Sequence, residues 1–496
     1  MLHYGHMTME RQVSTRELAQ ALLSRERRGL LRRPVRGPES VRWTLADKVG
    51  RALSEAAAEP TGLADERILR VEARMAHAKP LAWLRTQSSS PRTYWSGRDG
   101  DFEVAAVGIA DLVEGDGIPD SASLRKRFAT TLAASDRRAR YYGGIRFDPG
   151  TEPDEDWKAF GGYRFVLPRF EMLVEDGVSK LVCNLVLPWD AHRADEILEE
   201  IEDLSFEDYS PGVLPKPVSR TDSPGWPGWK RNIERALAAF DEEKLGKVVF
   251  ARRADFGFED DLDPVLLAEN LEDATPGCFH FYLEPEDGTA FVGASPERLF
   301  RREGREVRSE AVAGTRPRGD SEVADAELGE QLLGSAKDLS EHSYVRDSIG
   351  ETLGNLCETL EIEERLSEMK LARGRHLVSR ARGTLREGVT DWDVLEALHP
   401  TPAVGGHPKE EALEEIRTSE PFDRGWYAGP VGWVSADAAE FAVGIRSGLV
   451  NGRTLRLFSG AGIVAGSVPE EEWAEIEQKI GDFTRIFGAE PGHVTS

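Results

Sequence analysis

Apolar and polar positions alternate along much of this chain in the two-residue rhythm of half-buried strands, interrupted by stretches with helical spacing. Phe102-Glu103-Val104-Ala105-Ala106-Val107 and Tyr163-Arg164-Phe165-Val166-Leu167-Pro168 read as strands bounded by Gly, Pro and Asp. Phe170 to Val174 and Lys180 to Val186 flank Glu175-Asp176-Gly177, a turn signal that predicts a hairpin. Ala191 to Leu204 predicts a helix, and residues 1 to about 80 read as a helical segment with Arg and Glu on its polar faces. Pro, Gly and Ser crowd Ser210 to Trp229, which predicts a linker or a long connection between two halves of one fold. Beyond it the pattern predicts a helix from Trp229 to Lys244 and strands Lys247 to Arg252 and Thr289 to Val292. A helical region from about Ser321 to Met369 follows, then strands Gly429 to Val434, Glu440 to Ser447 and Thr454 to Gly460, and a last helix from Pro469. Long mixed runs with hairpin signals favour a mixed α/β or α+β fold over regular βαβ alternation.

By length, 496 residues can form one large domain or several, and a 40% hydrophobic content is that of a globular protein. There is no uninterrupted apolar run of about 20 residues, as a membrane-crossing helix needs. The first residues lack an apolar core and a small-residue cleavage site, so a cytoplasmic location is expected. Cys183, Cys278 and Cys357 are isolated, without disulfide or metal-ligand spacing, and read as core residues. A formal charge of −25 argues against nucleic acid as a partner and gives no attraction to an anionic membrane. For an anionic small molecule that field is opposing, so any such site needs a local cluster of cations.

Several short motifs in the second half bear reactive side chains. Lys247 opens an apolar strand, where its amine either projects into a cleft as a base or snorkels to water. Glu297 follows Gly293-Ala294-Ser295-Pro296, a turn that can aim it inward as a general acid or leave it paired with Arg298 or Arg301. Two acidic pairs, Asp338 with Glu341 and Glu472 with Glu475, stand three residues apart on predicted helices, so each pair shares a face. In the last helix Trp473, Ile476, Ile480 and Phe483 form an apolar stripe, and Glu472, Glu475 and Lys479 border it; Leu332, Leu339, Val345 and Ile349 mark the corresponding face of the earlier helix. Carboxylates from two helices suit Mg²⁺, although 88 Asp and Glu make such pairs common by chance. Phe458 to Val464 is glycine-rich, either an anion-binding loop or a plain connection. Arg446 offers a planar fork for a carboxylate or a surface ion pair.

Taken in order, GKVVFARR, FVGASPERLF, Glu310 with AVAGTR, KDLSEHS, HPTPAVGG and EEWAEIEQK closely resemble the motifs of chorismate-utilising enzymes, and in detail those of isochorismate synthases. TYWSGRDGDFEVAAVGIA, YYGGIRFDP and FGGYRFVLPRFEM resemble N-terminal segments of the menaquinone-type members. The resemblance covers about residues 81–488, with a less motif-rich half (81–228), a catalytic half (229–488) and a tail (489–496). It implies one large chorismate-binding domain of two packed antiparallel β-sheets with helices outside. It further implies that Lys247 deprotonates the water that attacks C2 of chorismate and that Glu297 protonates the departing C4 hydroxyl. Glu341 and Glu475 are the implied principal Mg²⁺ ligands, with Asp338 and Glu472 beside them or acting through water; Asp338 is shorter than the family's glutamate. Gly314, Thr315 and Lys479 would aid the ring carboxylate; Tyr427, Arg446 and Gly460 would receive the enolpyruvyl carboxylate; His376 would orient the ring. Ala403, where salicylate-forming and amino-transferring relatives tend to carry threonine, fits water addition without pyruvate elimination. Ala313 stands where aminodeoxychorismate synthases often carry a nucleophilic lysine, and Lys247 stands where anthranilate synthases carry a non-basic residue. The expected protein is a monomeric, Mg²⁺-dependent isochorismate synthase without a glutamine amidotransferase subunit, serving menaquinone rather than siderophore synthesis. A salicylate synthase and a catalytically silent chorismate-binding protein are the alternatives.

Overall fold

The computed structural model describes residues 38–59, 66–117, 120–207, 212–372 and 374–488. The predicted hairpin forms from strands Tyr163–Glu175 and Val178–Leu187, joined by Asp176 and Gly177 at φ values of 50° and 74°. Positive φ at both turn positions matches the right-handed twist of the paired strands. Tyr163–Glu175 is also the branch point of the architecture. One edge pairs with Phe102–Gly115, while the other pairs first with Tyr141–Ile145 and then with Val178–Leu187.

Two antiparallel wings extend from this fork. One continues from Phe102–Gly115 through Arg92–Ser96, Phe279–Glu286, Thr289–Ser295, Ser447–Asn451 and Thr454–Val464 to Lys247–Gly257. The other continues from Tyr141–Ile145 through Pro430–Val434, Ala438–Val443, Arg298–Glu303 and Glu306–Pro317 to Gly374–Leu385. The two sheets expected from the sequence are therefore wings of one hydrogen-bonded network, and both send side chains into one continuous core. Phe160 joins them, packing edge-on against Phe291 of the first wing and against Trp426 just before the second. Helices Ala336–Leu356 and Pro469–Thr484 cover the strands that carry the motifs.

Several boundaries differ from the sequence pattern. Of the segment expected to be helical up to about residue 80, Pro38–Ala57 is a helix, Arg67–Met75 is a strand paired with Val178–Leu187, and residues 1–37 and 60–65 lie outside the described residues. Arg70, on the same face as Ile68, is itself buried and paired with Glu171 at 2.7 Å, and this charge interrupts the apolar rhythm of Arg67–Met75. The Pro-rich stretch is only partly a connection: Ser219–Ser223 is a strand paired with Lys247–Gly257, and the next helix spans Trp226–Asp241. The long helical region breaks at Ser335, whose hydroxyl caps Ala336–Leu356 by accepting from the Asp338 amide at 3.3 Å, and it ends before strands Cys357–Ile362 and Ser367–Lys370. Leu332 consequently belongs to a separate helix, Glu322–Gly334.

Candidate active site

The glycine-rich segment expected as a loop is the end of strand Thr454–Val464, where Gly460 faces Ala251, Gly462 faces Val249 and Val464 faces Lys247. Glycine weakens a strand interior, and here close approach explains it. A Cβ on Gly462 would stand 2.1 Å from Glu341 Oε1 and 3.1 Å from Lys247 Cε; one on Gly460 would stand 3.1 Å from the Tyr427 hydroxyl. The two glycines thus make room for a cavity. Glu297, Gly314, Thr315, Glu341, His376, Ala403, Tyr427, Arg446, Gly460, Glu475 and Lys479 all line it. Of the residues singled out in the sequence, Lys247, Asp338 and Glu472 stand behind its wall.

Lys247 is fully buried, with Nζ 3.0 Å from Glu341 Oε1. This is an ionic contact outside hydrogen-bonding alignment, so the amine has no aligned acceptor. HPTPAVGG and the His407 that follows it fix the start of its strand: Gly246 N donates to His407 O at 2.8 Å and Val249 N to Gly405 O at 2.8 Å. Arg424 ties the same pieces together, donating to Val404 O at 2.9 Å and Val249 O at 2.7 Å.

Glu297 follows strand Thr289–Ser295, which runs three residues further than the sequence suggested, so that only Pro296 and Glu297 form the turn. Arg98 holds this turn, donating to Pro296 O at 2.8 Å while its fork grips Glu310 at 2.7 and 2.8 Å. Burial pushes the Glu297 carboxyl up to about 8, with the positive charge of Lys247 pulling the other way and Glu310 adding to the rise. At neutral pH it is an acid holding its proton. The surface pair of Glu297 with Arg298 or Arg301 does not form: Arg298 bonds Glu440 and Glu310, and Arg301 bonds Glu303.

Gly314 and Thr315 form a two-against-one bulge opposite His376, between the pairs Ala313 with Leu377 and Arg316 with Arg375. Gly314 adopts a φ of 70°, where a side chain would be strained. The bulge aims the Gly314 carbonyl at His376 Nδ1, 3.0 Å away, with Thr315 Oγ1 at 3.2 Å. A carbonyl only accepts, so Nδ1 bears the proton and Nε2 is left as a buried acceptor without a partner. Burial, reinforced by Arg446, lowers this imidazole to about 4 and keeps it neutral. Arg446 has a φ of 52°, an uncommon conformation for a residue with a side chain. Tyr427 stacks on Phe458 at 5.3 Å, and Lys479 bridges Gly460 O at 2.8 Å and Glu475 Oε1 at 2.7 Å.

All four helical carboxylates have a cationic partner. Glu341 meets Lys247, Glu475 meets Lys479, Asp338 meets Arg316 at 2.6 Å and Glu472 meets Lys337. Burial raises Glu472 despite Lys337, and the charge of Glu475 contributes to the rise. Glu341 and Glu475 on the cavity wall, with Glu472 buried one helical turn from Glu475, offer the hard oxygen donors that a divalent cation takes. Among the described residues no three His, Cys, Asp or Glu side chains gather as a ready-made ligand set, so water and a bound carboxylate must supply the remaining donors.

Sequence reasoning quoted the segments that hold Arg98, Arg316, Lys337 and Gly462 but gave these four residues no role. Lys337 and Arg316 stand within the motifs, and Gly462 repeats the parity of Gly460 along the strand. The role of Arg98 depends on a partner 212 positions away.

Comparison with known proteins defines the class. The chain belongs to the chorismate binding enzymes, whose family model matches residues 52–488. Among individual proteins it is similar to isochorismate synthase 2 of Arabidopsis thaliana, at 39% identity over 71% of this chain and 65% of that protein. It is also 32% identical to an isochorismate synthase of Haemophilus influenzae, over 85% of this chain and 92% of that one. The solved structure of the menaquinone-specific isochorismate synthase from Escherichia coli matches with a TM-score of 0.77 at 29% identity, covering 90% of this chain and 100% of that chain.

Proposed function

We propose that this protein is an isochorismate synthase that converts chorismate to isochorismate in support of menaquinone synthesis. The observation that carries this is the pairing of a buried strand lysine, Lys247, with a buried, proton-bearing Glu297 beside a single cavity. Lys247 takes a proton from the water that adds to C2. The ring double bonds shift toward C4, and the C4 hydroxyl leaves as water with the proton of Glu297, so one water enters and one departs. His376, through its bare Nε2, accepts a hydrogen bond from the substrate, while Arg446 and Tyr427 receive the enolpyruvyl carboxylate. Bound Mg²⁺, held by Glu341 and Glu475 with Asp338 and Glu472 behind them, would neutralise the ring carboxylate beside the Gly314 and Thr315 amides.

Arg446 and Lys479 on the cavity wall, with Lys247 behind it, supply local positive charge against the opposing field of a chain with formal charge −25. Ala403 lines the cavity with a methyl group and adds no hydroxyl for a second proton transfer, which favours release of isochorismate over pyruvate elimination. No helix among the described residues is long and apolar enough to cross a membrane. The test is turnover of chorismate by the purified protein with and without Mg²⁺, resolving the products. Mg²⁺-dependent isochorismate without pyruvate is expected. Salicylate with pyruvate would make it a salicylate synthase, and binding without product a silent chorismate-binding protein.

A further inference from the structure

Lys337 stands one residue before Asp338 on helix Ala336–Leu356 and forms an ion pair with Glu472 on helix Pro469–Thr484. The lysine side chain is 32% exposed and that of Glu472 only 1%, so the ammonium covers from the solvent side a carboxylate that water barely reaches. The negative charges of Glu475 and Glu341 also favour the ammonium form of Lys337. Those four carboxylates and their partners Lys247, Lys479, Arg316 and Lys337 sum to zero charge. A divalent cation placed among them creates an excess of positive charge unless a resident cation withdraws or gives up its proton, as Lys247 does before it acts as a base.

The partners differ in their freedom to do so. Lys247 is fully buried, and Lys479 is anchored on Gly460 O. Arg316 is held at two points, by Asp338 and by Thr315 O at 2.8 Å. Lys337 makes one contact through a flexible four-carbon stem that already reaches solvent, so it can swing into water at little cost.

We infer that Lys337 is a displaceable counter-ion: it holds Glu472 in the metal-free protein and leaves when a divalent cation binds, making metal binding an exchange of one cation for another. Lys337 is thus a positioning residue, acting on the metal site through Glu472, and the inference rests on assigning the two acidic pairs to a divalent cation. Displacing a resident ammonium offsets part of the attraction for the incoming ion, which weakens the site and lets Mg²⁺ come and go.

The test is calorimetric titration of Mg²⁺ into the full-length protein at pH 8, with and without chorismate, joined to thermal melting in EDTA and in Mg²⁺. Lys337→Gln keeps an amide donor for the buried carboxylate and removes the charge; it should bind Mg²⁺ about tenfold more tightly. It should also melt lower in EDTA and gain more from Mg²⁺ than the wild type does. Lys337→Arg, whose fork grips a carboxylate at two points, should bind Mg²⁺ more weakly, an expectation independent of whether the Gln variant folds. Equal or weaker Mg²⁺ binding by Lys337→Gln, or unchanged or tighter binding by Lys337→Arg, overturns the inference, since Lys337 would then remain on Glu472 in the loaded protein or play no part. Failure of the wild type to bind Mg²⁺ even with chorismate removes the underlying metal assignment instead.

Discussion

Replacing Gly462 by alanine should separate stability from activity in this protein. The added methyl would lie 2.1 Å from Glu341 Oε1 and 3.0 Å from its Cδ, with Lys247 Cε at 3.1 Å. Carbon–oxygen contacts under 3.0 Å essentially do not occur, so Glu341 must retreat by about 1 Å, and the cavity beside it gives it room. That retreat breaks the 3.0 Å contact with Lys247 and displaces a carboxylate assigned to the metal. Displacements near 1 Å at a reacting centre can cost about 10²-fold in rate. The backbone, by contrast, gains: Gly462 is not among the residues with positive φ, and alanine in a strand interior is favoured over glycine by roughly 0.5–1 kcal/mol. Gly462→Ala should therefore melt at or slightly above the wild-type temperature while its kcat/KM for chorismate falls about 10²-fold. Wild-type kcat/KM in a folded Gly462→Ala protein would refute the placement of Glu341 in the machinery. A large loss of stability would show that Glu341 cannot yield.

Lys247→Ala and Glu297→Gln should each lower turnover by ~10²–10⁴ with the fold retained by circular dichroism, and substantial activity in either removes that residue from the mechanism. Because Glu297 must hold its proton to act, kcat/KM should fall as pH rises through about 8, and a profile flat to pH 9.5 would exclude it as the acid. The same raised carboxyl binds more protons folded than unfolded between its ordinary 4.5 and about 8, so its stabilising contribution is lost as pH climbs through that window. Glu297→Gln should consequently melt higher than the wild type at pH 9, and an equal or lower melting temperature there counts against the buried acid. Arg98→Met frees the Pro296–Glu297 turn and should lower kcat more than it raises KM, whereas unchanged kcat would show that the turn holds without it.

The strands were legible where apolar residues alternate or run continuously, as in Phe102–Gly115, and the hairpin because Asp176-Gly177 adopts positive φ. Arg67–Met75 was not, since the buried charge of Arg70 interrupts its apolar residues, and Thr454–Val464 was cut short because glycines usually signal turns. The acidic pairs and Lys479 were visible as helix-face neighbours, but the pairing of Lys337 with Glu472 was not, because it spans 135 positions, and neither was the grip of Arg98 on Glu310 across 212. Pairing across such distances is decided by topology, and the fork at Tyr163–Glu175 that sets this topology has no local signature.

Water addition at C2 by the Lys247 and Glu297 pair is the central claim, and its most direct test is turnover of chorismate in water enriched in the heavy oxygen isotope, read by mass spectrometry of the isolated product. Isochorismate carrying a single heavy oxygen at its ring hydroxyl, formed by the wild type and not by Lys247→Ala, is the predicted result. Isochorismate that retains the original C4 oxygen, or label incorporation that survives loss of Lys247, would contradict it.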